Sequence, residues 1–157
     1  MMKRTKTTYL LLIAMTLSLL GLSARLQAQP YMHSAGIRAG YSSGINYKGF
    51  RLHRMSAFEV DFLYNKHGFN LGALYEYHLE PFRKSTRTFV YFGGGVFGGD
   101  WDEEFSVGVA AVAGLEYTLR DLPLNFSLDW KPMFNIYAVT EPDLLDFGIS
   151  IRYRFQR

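Results

Sequence analysis

The sequence contains no cysteine. Disulfide bonds, thiolate metal sites and a lipid-modified cysteine behind a leader are therefore excluded. The chain also lacks an apolar run long enough for a transmembrane helix, which needs about 20 residues, because the run from Leu10 to Leu22 has only 13. A protein built this way has to be held together by its backbone hydrogen bonds and its packing.

The short apolar run belongs to an N-terminal leader. It follows three bases within the first six residues and precedes a polar exit, Ser23 to Ala28, that ends in a small residue. This arrangement is typical of a secretory signal peptide. We predict a signal peptide over residues 1–28 and one mature domain over residues 29–157, with a retained anchor as the alternative.

Neither sign of charge dominates the predicted mature chain. The leader carries four bases and no acid, so the 17 bases of the full chain fall to 13, against 14 acids. The basic pI of 9.1 therefore comes mostly from the leader. A near-neutral mature chain gives no support to a nucleic-acid partner, and none is predicted.

The C-terminal stretch from Asp146 to Phe155 alternates in character without interruption. A strand points successive side chains to opposite sides, so this stretch has one apolar and one small or basic face. The apolar face consists of Phe147, Ile149, Ile151, Tyr153 and Phe155, and the other of Gly148, Ser150, Arg152 and Arg154. An amphipathic strand of about ten residues that ends in an aromatic is typical of a strand crossing a bilayer at a tilt.

The same period of two recurs through the mature chain from Ser34 onward. It predicts eight strands, at about 34–41, 45–51, 57–64, 68–79, 88–97, 105–119, 124–131 and 146–155, with Pro132 ending the seventh. The register of the second strand slips near Gly49, and the glycine-rich fifth strand does not reveal its faces. The predicted fold class is all-β, an eight-stranded antiparallel up-and-down transmembrane β-barrel.

Side-chain size indicates which face points inward, because a soluble lipocalin-type barrel has the same period with its apolar face enclosed. The polar face is rich in glycine, serine and asparagine, which suits the narrow lumen of eight strands. Aromatic residues fall near strand ends, as the interface belts of a membrane barrel do. One predicted belt is Phe58, Tyr75, Tyr77, Tyr117, Tyr153 and Phe155, and the other is Tyr41, Tyr64, Phe69, Trp130 and Phe147.

The leader, the repeated amphipathic strands and the final strand Phe147 to Phe155 resemble the small eight-stranded OmpA/OmpX-like, porin-like barrels of Gram-negative outer membranes. The resemblance covers nearly all of the mature chain. It implies an outer-membrane location, contact with outer-membrane lipid and assembly by the barrel-assembly machinery, and it names no extracellular partner. In that family the aromatic is usually the last residue, whereas Gln156 and Arg157 follow Phe155 here.

Ten charged residues are predicted to point into the lumen, five of each sign. They are Arg38, Lys48, Glu59, Asp61, Glu76, Glu116, Asp129, Lys131, Arg152 and Arg154. Because unpaired buried charge is costly, we expect ion pairs that plug the lumen, with a selective pore lining as the alternative. By strand order, Asp129 is the expected partner of Arg152.

Catalytic signals are weak, and no cofactor or metal is predicted. The four histidines, His33, His53, His67 and His78, lack metal-ligand spacing, and no Gly-x-Ser-x-Gly nucleophile motif is present. Barrels that trim or acylate lipid A use a histidine with a serine or an acid. The nearest approximations here are His67 with Ser42 or Ser43, and His78 beside Glu76, while the outward face is expected to carry no serine or histidine.

The acidic run Gly99 to Glu104 lacks the spacing of a calcium loop, so it is predicted to be a solvated loop, with a site that recruits a cation or a partner through its acids as the alternative. The sequence thus predicts an integral outer-membrane protein, not an enzyme, with a structural or surface-interacting role. A lipid-modifying enzyme and a narrow channel for small solutes are the alternatives.

Overall fold

A computed structural model of the chain describes residues 32–51, 55–81, 87–137 and 142–155. The predicted signal peptide lies outside these residues. Within the described ranges, no helix has the length and hydrophobicity needed to cross a membrane. The described residues form nine strands: β1 His33–Gly40, β2 Ser43–Phe50, β3 Ser56–Asn65, β4 Gly68–Leu79, β5 Thr88–Trp101, β6 Glu104–Thr118, β7 Leu124–Trp130, β8 Met133–Tyr137 and β9 Phe147–Arg154.

The sheet closes on itself. Antiparallel pairing runs in chain order from β1 to β6, then from β6 to β7, from β7 to β9 and from β9 back to β1. β7 and β8 pair with β6 one after the other, so together they form one strand of the barrel. The predicted eight-stranded antiparallel barrel is therefore confirmed.

The seventh barrel strand is interrupted at Pro132 rather than ended there, so the predicted end was wrong. β7 pairs Trp130 with Ala113, and β8 resumes on the same partner strand with Met133 opposite Ala110. Proline cannot donate to the ladder, but its carbonyl still accepts a hydrogen bond from Ala111 N at 3.0 Å. The break therefore removes some backbone hydrogen bonds locally but does not change the path of the strand.

Side chains alternate between the outside and the inside as predicted for most strands. In β9, for example, Ile149 is 57% exposed, whereas Ser150 and Arg152 are fully buried. β5, whose faces the sequence did not reveal, turns four aromatics inward and Phe92 outward. The four inward aromatics are Phe89, Tyr91, Phe97 and Trp101.

Glycines of β6 lie directly beneath these aromatics. A Cβ added at Gly114 would come within 2.6 Å of Tyr91 Cζ, and one added at Gly108 within 2.6 Å of Phe97 Cζ. The small residues of β6 therefore make room for the rings of β5. The lumen is filled by large side chains rather than left narrow and bare.

The acidic run from Gly99 to Glu104 is predicted to be a solvated loop, and this prediction was wrong. β5 continues to Trp101, and Asp102 and Glu103 form a two-residue turn into β6. Both turn residues have positive φ, 53° and 70°. This is the left-handed conformation that a type I′ hairpin turn requires, because its twist matches that of the flanking strands.

The two ends of the barrel differ in their connections. The termini end, where β1 begins and β9 finishes, has connections at 51–55, 80–87 and 119–123. The opposite end, here called the turn end, has two-residue connections at 41–42, 66–67 and 102–103 and a longer one at 138–146. Membrane barrels of bacteria usually have their short turns on the periplasmic side, so this distribution is unusual if the termini face the periplasm.

Candidate functional site

All ten charged residues that the sequence places in the lumen are buried. They arise from every barrel strand except β5, because the period of two repeats around the ring. The structure divides them into a central cluster, a second cluster nearer the turn end and one arginine at the termini end.

Glu59 of β3 is the centre of the central cluster, because three cations converge on its carboxylate. Lys48 Nζ and Arg152 Nη2 each lie 2.9 Å from Oε2, and Lys131 Nζ lies 3.2 Å from Oε1. The contacts from Arg152 and Lys131 are charge-assisted hydrogen bonds, which are stronger than neutral ones, and the contact from Lys48 is an ion pair. Lys131 also bonds Asp61.

Lys48 extends the cluster across the lumen. Its Nζ lies 2.6 Å from Glu76 and 3.6 Å from Glu116, and 4.2 Å from the centre of the Tyr91 ring. Arg152 completes the layer by donating to Ser127 Oγ at 2.9 Å. The network therefore joins strands that are not hydrogen-bonded neighbours, which ties opposite walls of the barrel together.

The second cluster is built around Arg38. Its guanidinium donates to Asp129 Oδ1 at 2.7 and 3.1 Å, to Asp146 Oδ1 at 2.9 Å and to the Ser42 carbonyl at 2.8 Å. Gly148 makes room for it, since a Cβ there would lie 2.4 Å from Arg38 Cζ. Asp146 was missing from the predicted lumen set, although it shares the alternation of Gly148 and Arg152 and could have been included.

The predicted pair of Arg152 with Asp129 was wrong. Asp129 is bonded to Arg38, and Arg152 reaches Glu59 on β3, three strands away in the sheet. The reason is the register of the two strands, because Asp129 lies opposite Gly148 whereas Arg152 lies opposite Asn125. Arg154 also departs from the central cluster, because it donates to the carbonyls of Leu119 and Leu122 at 2.9 and 2.6 Å.

Of the two candidate histidines, His78 lies beside Glu76 in the lumen as predicted, whereas His67 has a different partner from the predicted serine. His78 is buried against Phe50 and stacked on Tyr91, with Nε2 3.7 Å from Glu76. His67 stacks on Trp101 and pairs with Asp102 at 2.9 Å, so the structure gives it an acid as partner in place of Ser42 or Ser43.

His33 and Ser43 both lie on the outward face, so the expectation of an outward face without histidine or serine was wrong. β1 and β2 begin earlier than predicted, which adds these two residues to the strands. His33 Nδ1 lies 2.8 Å from Tyr47 Oη. His53 lies outside the described residues, and no group of three or more histidines and acids in the described ranges is arranged to hold a metal ion.

The outside of the barrel is apolar, with aromatics at both ends. Of the eleven aromatics predicted for the two belts, Tyr41 and Tyr77 are half-buried and the others are exposed, namely Phe58, Tyr64, Phe69, Tyr75, Tyr117, Trp130, Phe147, Tyr153 and Phe155. Several pack together, as Phe58 and Tyr75 do at 5.0 Å between ring centres. Exposed aliphatic residues such as Ile37, Leu71 and Leu128 lie between the two ends.

Among solved structures, the chain is similar to the crystal structure of Neisserial surface protein A. The TM-score is 0.51 at 14% sequence identity, over 78% of this chain and 94% of that one. At this identity the match shows a shared fold. No family model and no curated protein matches the sequence.

Proposed function

We propose that this chain is an integral outer-membrane β-barrel of the OmpA/OmpX-like kind, with a structural or surface-interacting role and a lumen plugged by its own side chains. In this proposal residues 1–28 are a cleaved signal peptide and residues 29–157 are the mature barrel. The observation that carries the proposal is the inverted polarity of the barrel, which is apolar outside and encloses ten charged residues beside an apolar cluster. The shared fold with a Neisserial surface protein supports a place in the cell envelope.

A bilayer explains this polarity better than water does. A lipocalin-type barrel encloses its large apolar side chains, whereas here residues such as Leu115, Leu128 and Ile149 are more than half exposed. Exposing so continuous an apolar surface to water would cost roughly 25 cal/mol for each Å². In a bilayer the same surface contacts acyl chains, so outer-membrane lipid is the immediate partner that we propose.

The connections favour a structural role over ligand binding by long surface loops. Three of the four connections at the turn end have two residues each, which leaves little loop surface there. The central ion pairs favour a closed lumen over a channel, because Lys48, Glu59 and Arg152 occupy its middle. No cofactor is proposed, and assembly is assigned to the barrel-assembly machinery.

Fractionation and conductance test the proposal together. The mature chain should sediment with outer membranes and migrate faster on a gel unheated than boiled, because a closed ladder resists detergent. In planar bilayers the purified barrel should give no steady conductance steps. Recovery as a soluble periplasmic monomer would reject the membrane assignment, and discrete steps on the scale of a porin would favour the channel.

A further inference from the structure

The two ends of the barrel carry opposite charge. By sequence, the connections at the termini end contain six bases and two acids: Arg51, Arg54, Arg83, Lys84, Arg87 and Arg120 against Glu80 and Asp121. The connections at the turn end contain one base and five acids by sequence, but Asp146 is paired with Arg38 in the lumen and Asp143 is buried, so Lys66, Asp102 and Glu103 are the exposed charges among the described residues there. A barrel polarised in this way presents different electrostatic surfaces to the two sides of a membrane.

Three of the bases lie in the described residues and are held in place through their backbones. Arg51 N donates to Ser56 O at 2.9 Å, and the Arg87 carbonyl accepts from Thr118 N at 2.8 Å. Arg120 lies in the turn that Arg154 fixes through two carbonyls. We call Arg51, Arg87 and Arg120 the basic ring.

The basic ring follows the circumference of the barrel and does not form a patch. Its members lie on the β2–β3, β4–β5 and β6–β7 connections, and the barrel order places successive connections two strands apart. A compact anionic ligand is held by bases that converge on it. Bases spread around a barrel instead match anionic groups that surround it.

The position along the barrel axis also indicates a headgroup layer. The ring lies just beyond the aromatic belt of the termini end, where amphipathic rings sit at headgroup level. Beside the exposed Arg120, Leu122 is 52% exposed. An apolar side chain next to a base is typical of segments that lie at the boundary between headgroups and acyl chains.

We infer that the basic ring binds the phosphate groups of anionic phospholipids in the leaflet at the termini end. The inference rests on the proposed membrane location and goes beyond it, because it names the lipid class and the leaflet. Juxtamembrane bases attract anionic lipid by about fivefold in affinity for each base. The acidic turn end should instead disfavour anionic lipid, so the charge of the lipids would also help to fix the orientation of the barrel.

The test uses the full mature barrel in vesicles of phosphatidylcholine mixed equally with phosphatidylglycerol. Flotation with the vesicles reports insertion, and native mass spectrometry after gentle extraction reports which lipid the barrel retains. The wild type should retain phosphatidylglycerol preferentially. In the triple variant Arg51→Gln, Arg87→Gln, Arg120→Gln, the preference for phosphatidylglycerol should fall at least about fivefold below that of the wild type. The matched triple variant Asp102→Asn, Glu103→Gln, Glu104→Gln should keep the wild-type preference.

The outcomes separate this inference from the proposed function. A wild type that does not float with vesicles rejects the membrane assignment. An inserted wild type that retains both lipids equally, or equal losses in the two triple variants, rejects the basic ring alone. Should the triple variant not fold, as judged by its unheated gel mobility, Arg120→Gln alone should lower the preference by about fivefold. Full displacement of the lipid by inorganic phosphate, or tighter binding of polyglutamate than of lipid, would assign the ring to a soluble anion or an acidic protein instead.

Discussion

The two walls of the lumen are filled by different means. The wall formed by β1, β2, β3 and β9 contributes long charged side chains, among them Arg38, Lys48, Glu59 and Arg152. The wall around β5 contributes an apolar cluster, which consists of Leu74, Tyr91, Phe97, Trp101, Ala110, Val112 and Met133. The charged wall depends on particular partners, because a buried charge that loses its counterion is costly. The apolar wall depends on shape and volume.

The charged wall should be the more sensitive of the two. Glu59→Gln keeps the size of the side chain but removes the charge on which three cations converge, so we expect a loss of about 4 kcal/mol in the free energy of unfolding. Urea unfolding in detergent micelles measures it. A loss smaller than that of the neighbouring neutral change Asn46→Ala would show that the cations find other acids.

The apolar wall should respond to a cavity. Phe97→Ala removes a buried ring that lies over Gly108, and we expect a loss of about 3 kcal/mol with no dependence on salt. The matched change on the outer face of the same strand is Phe92→Ala, at a ring that is half exposed. If the two substitutions cost the same in micelles, the interior packing of Phe97 is not what stabilises this wall.

Hydrogen-bond geometry within the charged wall should have a smaller effect than charge. Arg152→Lys keeps the positive charge near Glu59 but loses the planar group that also bonds Ser127 and Asn46. We expect a loss of about 1.5 kcal/mol, because lysine lacks the fixed fork of donors. A loss equal to that of Glu59→Gln would mean that geometry, not charge, holds this wall.

The difference between the two walls also explains what the sequence could predict. β9 alternates large apolar residues with small or basic ones, so its faces could be predicted. β5 places aromatics on both faces, with Tyr91 inside and Phe92 outside, and Gly93 to Gly95 remove the remaining contrast. The alternation of residue character therefore could not show which face of β5 points inward.

Pairing across the lumen could not be predicted for a different reason. Strand order gives the neighbours of each residue in the sheet, whereas an arginine or lysine can extend past the adjacent strands to reach a more distant one. Arg152 was therefore matched with Asp129 by adjacency, while the structure pairs it with Glu59. Asp146, by contrast, could have been predicted from the sequence to point inward, because it lies two residues before Gly148 and continues the inward face of β9.

The smallest effect is expected where a hydrogen-bonded pair of polar side chains lies outside both walls. His67 and Asp102 join two turns at the turn end, and the Asp102 side chain is 60% exposed. Water and salt screen such a pair, so Asp102→Asn should cost less than about 1 kcal/mol. The measurement is urea unfolding in micelles at low and high salt, with Glu103→Gln in the same turn as the control. If Asp102→Asn lowered the free energy of unfolding nearly as much as Glu59→Gln, the turns would stabilise the barrel as much as the lumen does. That result would contradict the ranking given above.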